Sequence, residues 1–230
     1  MKHLIIGSKG EVGSALYQVL MYKHDISGID KGEKVSGKFD FIHICFPYFR
    51  GFVGAVKKYK KKYGGVCVIH STVPVGTSRK CGAVHSPIRG IHPHLKDSIL
   101  IFKKYFGGEQ SREAAQQFQE AGVTCQRFNS PEETELAKLT DLLGYGWNII
   151  LQKEIKRLCD IYGADFDNVY TEANMSYNAG YEKLGYPEFK KYILKHMPGE
   201  VGGHCIKENI PHIKSKFAKF FTKINKELTM

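Results

Sequence analysis

Short apolar runs alternate with amphipathic stretches over the first half of the chain. His3-Leu4-Ile5-Ile6 has the pattern of a strand buried on both faces. After a glycine turn, Ser14-Ala15-Leu16-Tyr17-Gln18-Val19-Leu20-Met21 carries apolar residues at the three-and-four spacing of a helix. Ile26-Ser27-Gly28-Ile29 predicts a second strand, and residues 39–47, 66–70, 83–85, 99–102 and 123–126 predict further ones. Helices are predicted over 51–63 and 111–121. This alternation predicts an α/β fold with a Rossmann-like, mostly parallel sheet. Only residues 31–38 separate the second strand from the third, so a loop is expected where a full mononucleotide half has a helix and a strand.

The pattern changes at Ser130-Pro131-Glu132-Glu133, which reads as a helix start: Ser as N-cap, Pro at the first position, Glu three residues after the cap. Leu136, Leu139, Leu143, Trp147, Ile150, Leu151, Ile155 and Leu158 then recur at helical spacing, so one helix is expected to about Tyr162, before Gly163. Gly144 and Gly146 inside it cost about 1 kcal/mol each relative to Ala. A further helix is expected over 167–176, broken by Tyr177-Asn178-Ala179-Gly180-Tyr181. At the C-terminal end Ile213, Phe217, Phe221, Ile224 and Leu228 form the apolar side of an amphipathic helix. Two domains follow: a dinucleotide-binding domain over 1–129, and a helical dimerisation or substrate domain over 130–230. A helix of this length at a domain boundary commonly packs against a second subunit, so a homodimer is expected, with an intramolecular core helix as the alternative.

Composition narrows the class. With 42% apolar residues in 230, the chain can bury a core, and no apolar run approaches the roughly 18–20 residues of a membrane span. The first strand is too short for a signal-peptide core, and the six scattered cysteines contain no CxxC pair, so a reducing cytoplasm is expected. The formal charge of +11 suits an anionic partner. Its two lysine clusters, at 57–62 and 214–226, read as solvated helix faces, and no nucleic-acid module is present, so a nucleic-acid partner is not expected. The histidines have neither i,i+4 nor CxxC spacing, and no metal site is expected.

Two glycine-rich segments carry candidate chemistry. In Gly7-Ser8-Lys9-Gly10-Glu11-Val12-Gly13, Gly7 allows the turn off the strand, Gly10 allows approach of a pyrophosphate, and Gly13 allows close packing of helix on sheet. The helix N-terminus offers free N–H groups and partial positive charge to phosphates. Asp30, seventeen residues past Gly13, is placed to accept from a ribose 2′-OH, which favours NAD over NADP, while Lys31 weakens that preference. Ser8 takes the usual middle-glycine place. The second segment, Pro198-Gly199-Glu200-Val201-Gly202-Gly203-His204-Cys205, puts open backbone N–H groups beside a thiol that His204 and a following helix start would activate; a tight turn with a buried cysteine fits the composition equally.

GSKGEVG, HSTVPVGT, ELAKLTDLLGYGWNIILQKEIKRLCDIYGAD and PGEVGGHC fall in the order found in the UDP-glucose/GDP-mannose dehydrogenase family, which the chain resembles over nearly its whole length. The resemblance implies NAD-dependent oxidation of an alcohol on a small anionic or sugar-derived substrate. It matches Cys205 to the nucleophile, Lys138 to the lysine that stabilises the oxyanion, and Thr72 to the threonine that positions water or hydroxyl. Pro47 and Ser71 accompany the glycine turn as cofactor-side residues; Arg89, His92, Gly202 and Gly203 are the candidate substrate groups, with His92 the remaining proton acceptor. The resemblance stops where the family's third domain would begin, and the family's asparagine and carboxylate positions are Leu142, Asn209 and Ile88 here. An altered or non-catalytic dinucleotide-binding protein is therefore the alternative. A third reading rests on Ile91-His92-Pro93, which also resembles the His-Pro stretch of prephenate dehydrogenases.

Overall fold

The computed structural model describes residues 1–202 and 204–228, with His204 described by its backbone alone. Residues 1–139 and 140–230 form two compact units. The boundary thus lies within the long helix, ten residues beyond the expected start of the second domain.

The first unit is built on β1 (Lys2–Ile6), β2 (Asp25–Ile29), β3 (Phe41–Ile44), β4 (Val66–Ile69), β5 (Val84–His85), β6 (Lys104–Gly107) and β7 (Cys125–Phe128), in the spatial order 2-1-3-4-5-6-7. Every pairing is parallel except β5 with β6. Helices α1 (Glu11–Leu20), α2 (Phe52–Tyr63), α3 (Thr77–Cys81), α4 (Leu95–Ile101) and α5 (Ser111–Glu120) make the connections. Residues 30–40 contain no helix or strand, as the short spacing predicted. Both faces of the central strands are covered. Ile5, Phe41, Val68 and Phe106 pack with Leu16, Ile99 and Phe118 on one side. Leu4, Ile42, Ile44 and Ile69 pack with Phe52, Val56 and Tyr63 on the other.

Two local expectations fail. Residues 99–102 are not a strand: Ile99 and Leu95, four apart, bury one side of α4, while Ile101 is left 77% exposed. The buried apolar content of a helix stripe mimics a strand when the run is short. Nor does a break occur at 177–181. A π-helical turn over Asp167–Glu172 runs directly into α7 (Ala173–Lys183), and Gly180 is tolerated inside it.

The long helix α6 (Pro131–Tyr162) starts as predicted, with Glu133 N–H donating to Ser130 Oγ at 3.3 Å. It ends before Gly163, which has φ +65°. In the second unit Leu142 and Ile150 of α6 pack with Val201, Ile206, Ile210, Ala218 and Phe221. Helices α8 (His204–Asn209) and α9 (Lys216–Glu227) supply several of these. Gly146 permits the contact, because a Cβ there would lie 2.8 Å from the Phe221 ring. Phe217, expected on the buried side of α9, is 56% exposed and instead stacks on Trp147 at 4.5 Å.

Polar side chains also enter the apolar interior of the first unit. His3 on β1, His43 on β3 and His70 just past β4 form a row: His3 Nδ1 lies 2.9 Å from His43 Nε2, and His43 Nδ1 lies 3.0 Å from His70 Nε2. His85 is also fully buried, 2.8 Å from Thr134 Oγ1. Burial lowers His3 and His85 to about 3 and holds His43 and His70 well below the ordinary histidine value.

The four buried rings make folding acid-sensitive. Each binds a proton less tightly folded than unfolded, so the unfolded chain takes up more protons once pH drops below about 6.5. The contribution of these rings is therefore full above that value and falls below it, by up to about 1.4 kcal/mol per pH unit for each ring. The urea midpoint is expected to drop steadily from about pH 7.5 to about pH 5. A level midpoint would show that the rings do not stay neutral in the folded chain.

Candidate functional site

The carboxyl ends of β1 to β5 and the segments that follow them gather most of the predicted groups. Gly7 leaves β1 with φ +91° and its N–H donates to Ile29 O at 2.8 Å. A Cβ on Gly13 would lie 2.1 Å from Gly7 O, so α1 can only sit this close to the turn with glycine there. A Cβ on Gly10 would meet nothing closer than Gly7 O at 3.5 Å, so the chain itself does not require glycine at that place. The space above Gly10 is left for a group that comes near the backbone. The first bond of α1 is Ser14 N–H to Gly10 O at 2.8 Å. The N–H groups of Glu11, Val12 and Gly13 precede it and, among the described residues, meet no backbone acceptor, as suits an anion.

Ser8 is integrated in a way that its spacing did not reveal. Its Oγ donates to Asp30 Oδ2 at 3.0 Å, and Lys9 N–H donates to the same oxygen at 2.9 Å. Asp30 N–H is held by Glu33 Oε2 at 2.8 Å, and Glu33 pairs with Lys9. Asp30 is thereby oriented at the end of β2 with Oδ1 free of partners among the described residues. Ser8 also explains Gly28, whose Cβ would fall 2.6 Å from that of Ser8. A glycine inside a strand marks such close approaches, and this was the overlooked signal. Lys31 is exposed beside Asp30.

Across the sheet, Pro47 is exposed after β3, and Ser71 Oγ donates to Phe46 O at 2.6 Å, tying the ends of β3 and β4 together. Thr72 follows, half-buried. Glu135 of α6, completely buried, accepts from Gly76 N–H at 2.6 Å and Ser78 N–H at 2.7 Å at the start of α3. Burial raises its carboxyl above the ordinary value, and those bonds oppose the rise. This clamp fixes the first turns of α6 over the 71–78 segment. Lys138, one turn on, is half-buried and close enough to His85 to disfavour charging of that ring.

After β5 the chain reaches Arg89 and His92. His92 Nδ1 pairs with Glu11 in the first turn of α1, which brings this segment to the glycine turn. Arg89 bonds Tyr105 Oη at 3.0 Å and lies over the Phe102 and Tyr105 rings, so its guanidinium is held by β6 and its approach. Ile88 is 8% exposed and belongs to the apolar core. The first unit thus assembles Gly7–Gly13, Asp30, Ser71, Thr72, His92 and Lys138 along its sheet edge.

Cys205 and Gly202 belong to the second unit. Cys205 is an exposed residue in the first turn of α8 and forms no disulfide. Asn209 donates its Nδ2 back to Cys205 O at 2.8 Å, a backbone-capping role. Gly203 and the His204 side chain lie outside the described residues. Buried Asn225 of α9 grips Val201 at both its N–H and its C=O, at 2.6 and 3.0 Å, and so anchors the approach to Cys205. A cavity of about 350 Å³ adjoins this approach, lined by Tyr145, Lys153, Lys195 and Gly202 among others. Leu142, like Ile88, is a core residue. Among the described residues there is no cluster of three metal-ligating side chains and no helix long and apolar enough to cross a membrane.

No family model and no curated protein matches the chain. Solved structures do. UDP-D-ManNAc dehydrogenase from Pyrococcus horikoshii is similar over 99% of this chain and 69% of its own, with TM-score 0.80 and 17% identity. UDP-N-acetyl-mannosamine dehydrogenase Cap5O from Staphylococcus aureus is similar over 99% and 68%, with TM-score 0.74 and 18% identity. A 3-hydroxyisobutyrate dehydrogenase from Mycobacterium tuberculosis is similar over 98% and 92%, with TM-score 0.68 and 11% identity. At these identities the likeness is one of fold: the chain has the Rossmann-like architecture found in nucleotide-sugar and hydroxyacid dehydrogenases.

Two substitutions test the local geometry. Gly13→Ala is expected to displace α1 from the turn and prevent stable folding or cost several-fold in any dinucleotide affinity, read by thermal melting and calorimetry. Asn225→Ala is expected to destabilise the second unit by about 1–3 kcal/mol, because Val201 N–H and C=O lose their buried partners. Urea unfolding followed by Trp147 fluorescence measures it.

Proposed function

We propose that the chain is an NAD-dependent oxidoreductase acting on an alcohol of a small anionic or sugar-derived substrate. The observation that carries this reading is the glycine turn itself: Gly13 closed by Gly7 O, Gly10 open, three N–H groups free at α1, and an oriented Asp30 at the end of β2. That cradle fits a dinucleotide. The pyrophosphate would lie on the N–H groups of α1, and Asp30 Oδ1 would accept from a ribose hydroxyl. The nicotinamide, when bound, supplies the hydride acceptor. Ser71, Thr72 and Pro47 border the same edge, and the Lys138 ammonium supplies positive charge that would favour a developing alkoxide. His92, held by Glu11, is the candidate proton acceptor. Cys205 is the candidate nucleophile, with Gly202, Gly203 and Arg89 as substrate groups. The nucleotide-sugar dehydrogenases with this fold support the substrate class.

A second reading, a dinucleotide-binding protein without this catalysis, is favoured by Ile88 and Leu142. Apolar core residues occupy two places where the resembled family carries polar ones. We also propose a homodimer through α6. Leu151, Leu158, Ile161 and Tyr162 form an apolar stripe on this helix that is left substantially exposed, Tyr162 by 80%.

Calorimetric titration is expected to show NAD binding, with NADP weaker, and Asp30→Asn is expected to narrow that difference. Absence of binding by either would end the oxidoreductase reading. With a turned-over substrate in hand, Cys205→Ser is expected to abolish NADH formation, and unchanged turnover would remove the nucleophile. Sedimentation is expected to give a dimer that Leu158→Glu dissociates.

A further inference from the structure

The row of imidazoles has a direction, and that direction follows from its end. His70 Nδ1 lies 2.8 Å from Ser86 O, and a carbonyl only accepts, so that nitrogen carries the proton. The neutral ring then has a bare Nε2, which accepts from His43 Nδ1; His43 Nε2 in turn accepts from His3 Nδ1. The row ends on His3 Nε2, which has no partner at hydrogen-bond distance among the described residues. The side-chain oxygen of buried Gln117 on α5, which faces His3, also has none.

At the other end is Lys104, 4% exposed on β6. Its Nζ lies 3.1 Å from Ser86 O, 3.4 Å from Pro87 O and 3.4 Å from His70 Nδ1. The Phe106 and Phe118 rings and the thiols of Cys45 and Cys125 complete its surroundings, and no carboxylate among the described residues pairs with it. Burial brings this amine down to about 7. Few other charges face the row. The terminal amine, Asp40 and His24 act on His3, and His85 acts on His70. His24 stacks on His3 at 4.5 Å and lies 4.0 Å from the half-exposed Glu120 carboxylate, so the His3 end is one residue from solvent.

We propose that His3, His43 and His70 are a proton relay that delivers a proton to the Lys104 amine beneath residues 86–88. A proton added to His3 Nε2 is matched by transfer of the Nδ1 proton of His3 to His43 Nε2, of His43 to His70 Nε2, and of His70 to the Lys104 lone pair. Each ring gives one proton for the one it receives, no electrons move, and the net charge appears on Lys104. His3 Nε2–H would face the Gln117 oxygen, and the ammonium, within 3.1 to 3.4 Å of Ser86 O, Pro87 O and His70 Nδ1, would have to bridge Ser86 O and the bared Nδ1, two acceptors 2.8 Å apart. Reversal returns the proton to the His3 end. An alcohol oxidised by hydride loss releases one proton, and residues 86–88 follow β5 at the edge proposed for that chemistry. This use rests on the oxidoreductase reading, whereas the relay does not.

Nitrogen-15 NMR of the full chain labelled at histidine separates the two tautomers of each ring. At about pH 9 all three rings are expected to be Nδ1–H. As pH falls to about 6 they are expected to convert together to Nε2–H, with a single midpoint near that of Lys104. Lys104→Met keeps the volume and removes an unpaired buried amine, so it is expected to fold, with the three rings fixed as Nδ1–H throughout. Rings that keep one tautomer in the unaltered protein would overturn the proposal and make the row a static scaffold closed by the Gln117 amide nitrogen. Conversion that survives Lys104→Met would overturn it as well. Neither readout depends on dinucleotide binding or turnover.

Discussion

Both faces of β1, β3 and β4 are covered, so every polar atom these strands carry inward must be matched inside the protein. Much of the first unit's geometry answers to that constraint. His3, His43 and His70 can occupy the interior only because each ring nitrogen but the last has a neighbour at 2.8–3.0 Å. Glu135 can be wholly buried only because two N–H groups of the 76–78 turn meet its two oxygens. The same contact holds the first turns of α6 to the sheet edge, and with them Lys138. Internal polar matching and placement of the candidate site are here one arrangement.

The site that results is uneven in an informative way. The groups proposed for the dinucleotide are closely determined: the start of α1, Gly13, whose Cβ would meet Gly7 O at 2.1 Å, and Asp30, oriented by two donors. Its proton-handling parts are sparse on the surface of the pocket. Ile88 and Leu142 have been absorbed into apolar cores, and Asn209 caps its own helix. Besides His92, the titratable groups near residues 86–88 include the buried imidazole row and Lys104.

How much of this could be read from residues alone depended on how local the cause was. The glycine spacing, the acid after β2, the missing helix in residues 31–38 and the capped start of α6 are local, and each has a one-to-one physical reason. Residues 99–102 were misread because four apolar residues carry too little periodicity to distinguish a helix stripe from a strand. Tyr177–Tyr181 was misread because packing can hold a helix through residues that have no strong preference for it. The imidazole row was invisible for a different reason. Successive members of the row are 40 and 27 residues apart, and only strand order and register align them. Gly28 was legible in principle, but its partner Ser8 is named only by the parallel pairing of β1 with β2.

The Ser8–Gly28 contact imposes an order on evolutionary change. With serine at position 8, any larger residue at 28 collides with it, so strand β2 cannot regain a side chain there. If Ser8→Gly comes first, residue 28 is released, but Asp30 loses one of the two donors that orient it. The two substitutions are therefore not interchangeable steps: one path passes through a misfolded intermediate and the other through a loosened acid. A chain that keeps Ser8 must therefore keep a residue without a side chain at position 28.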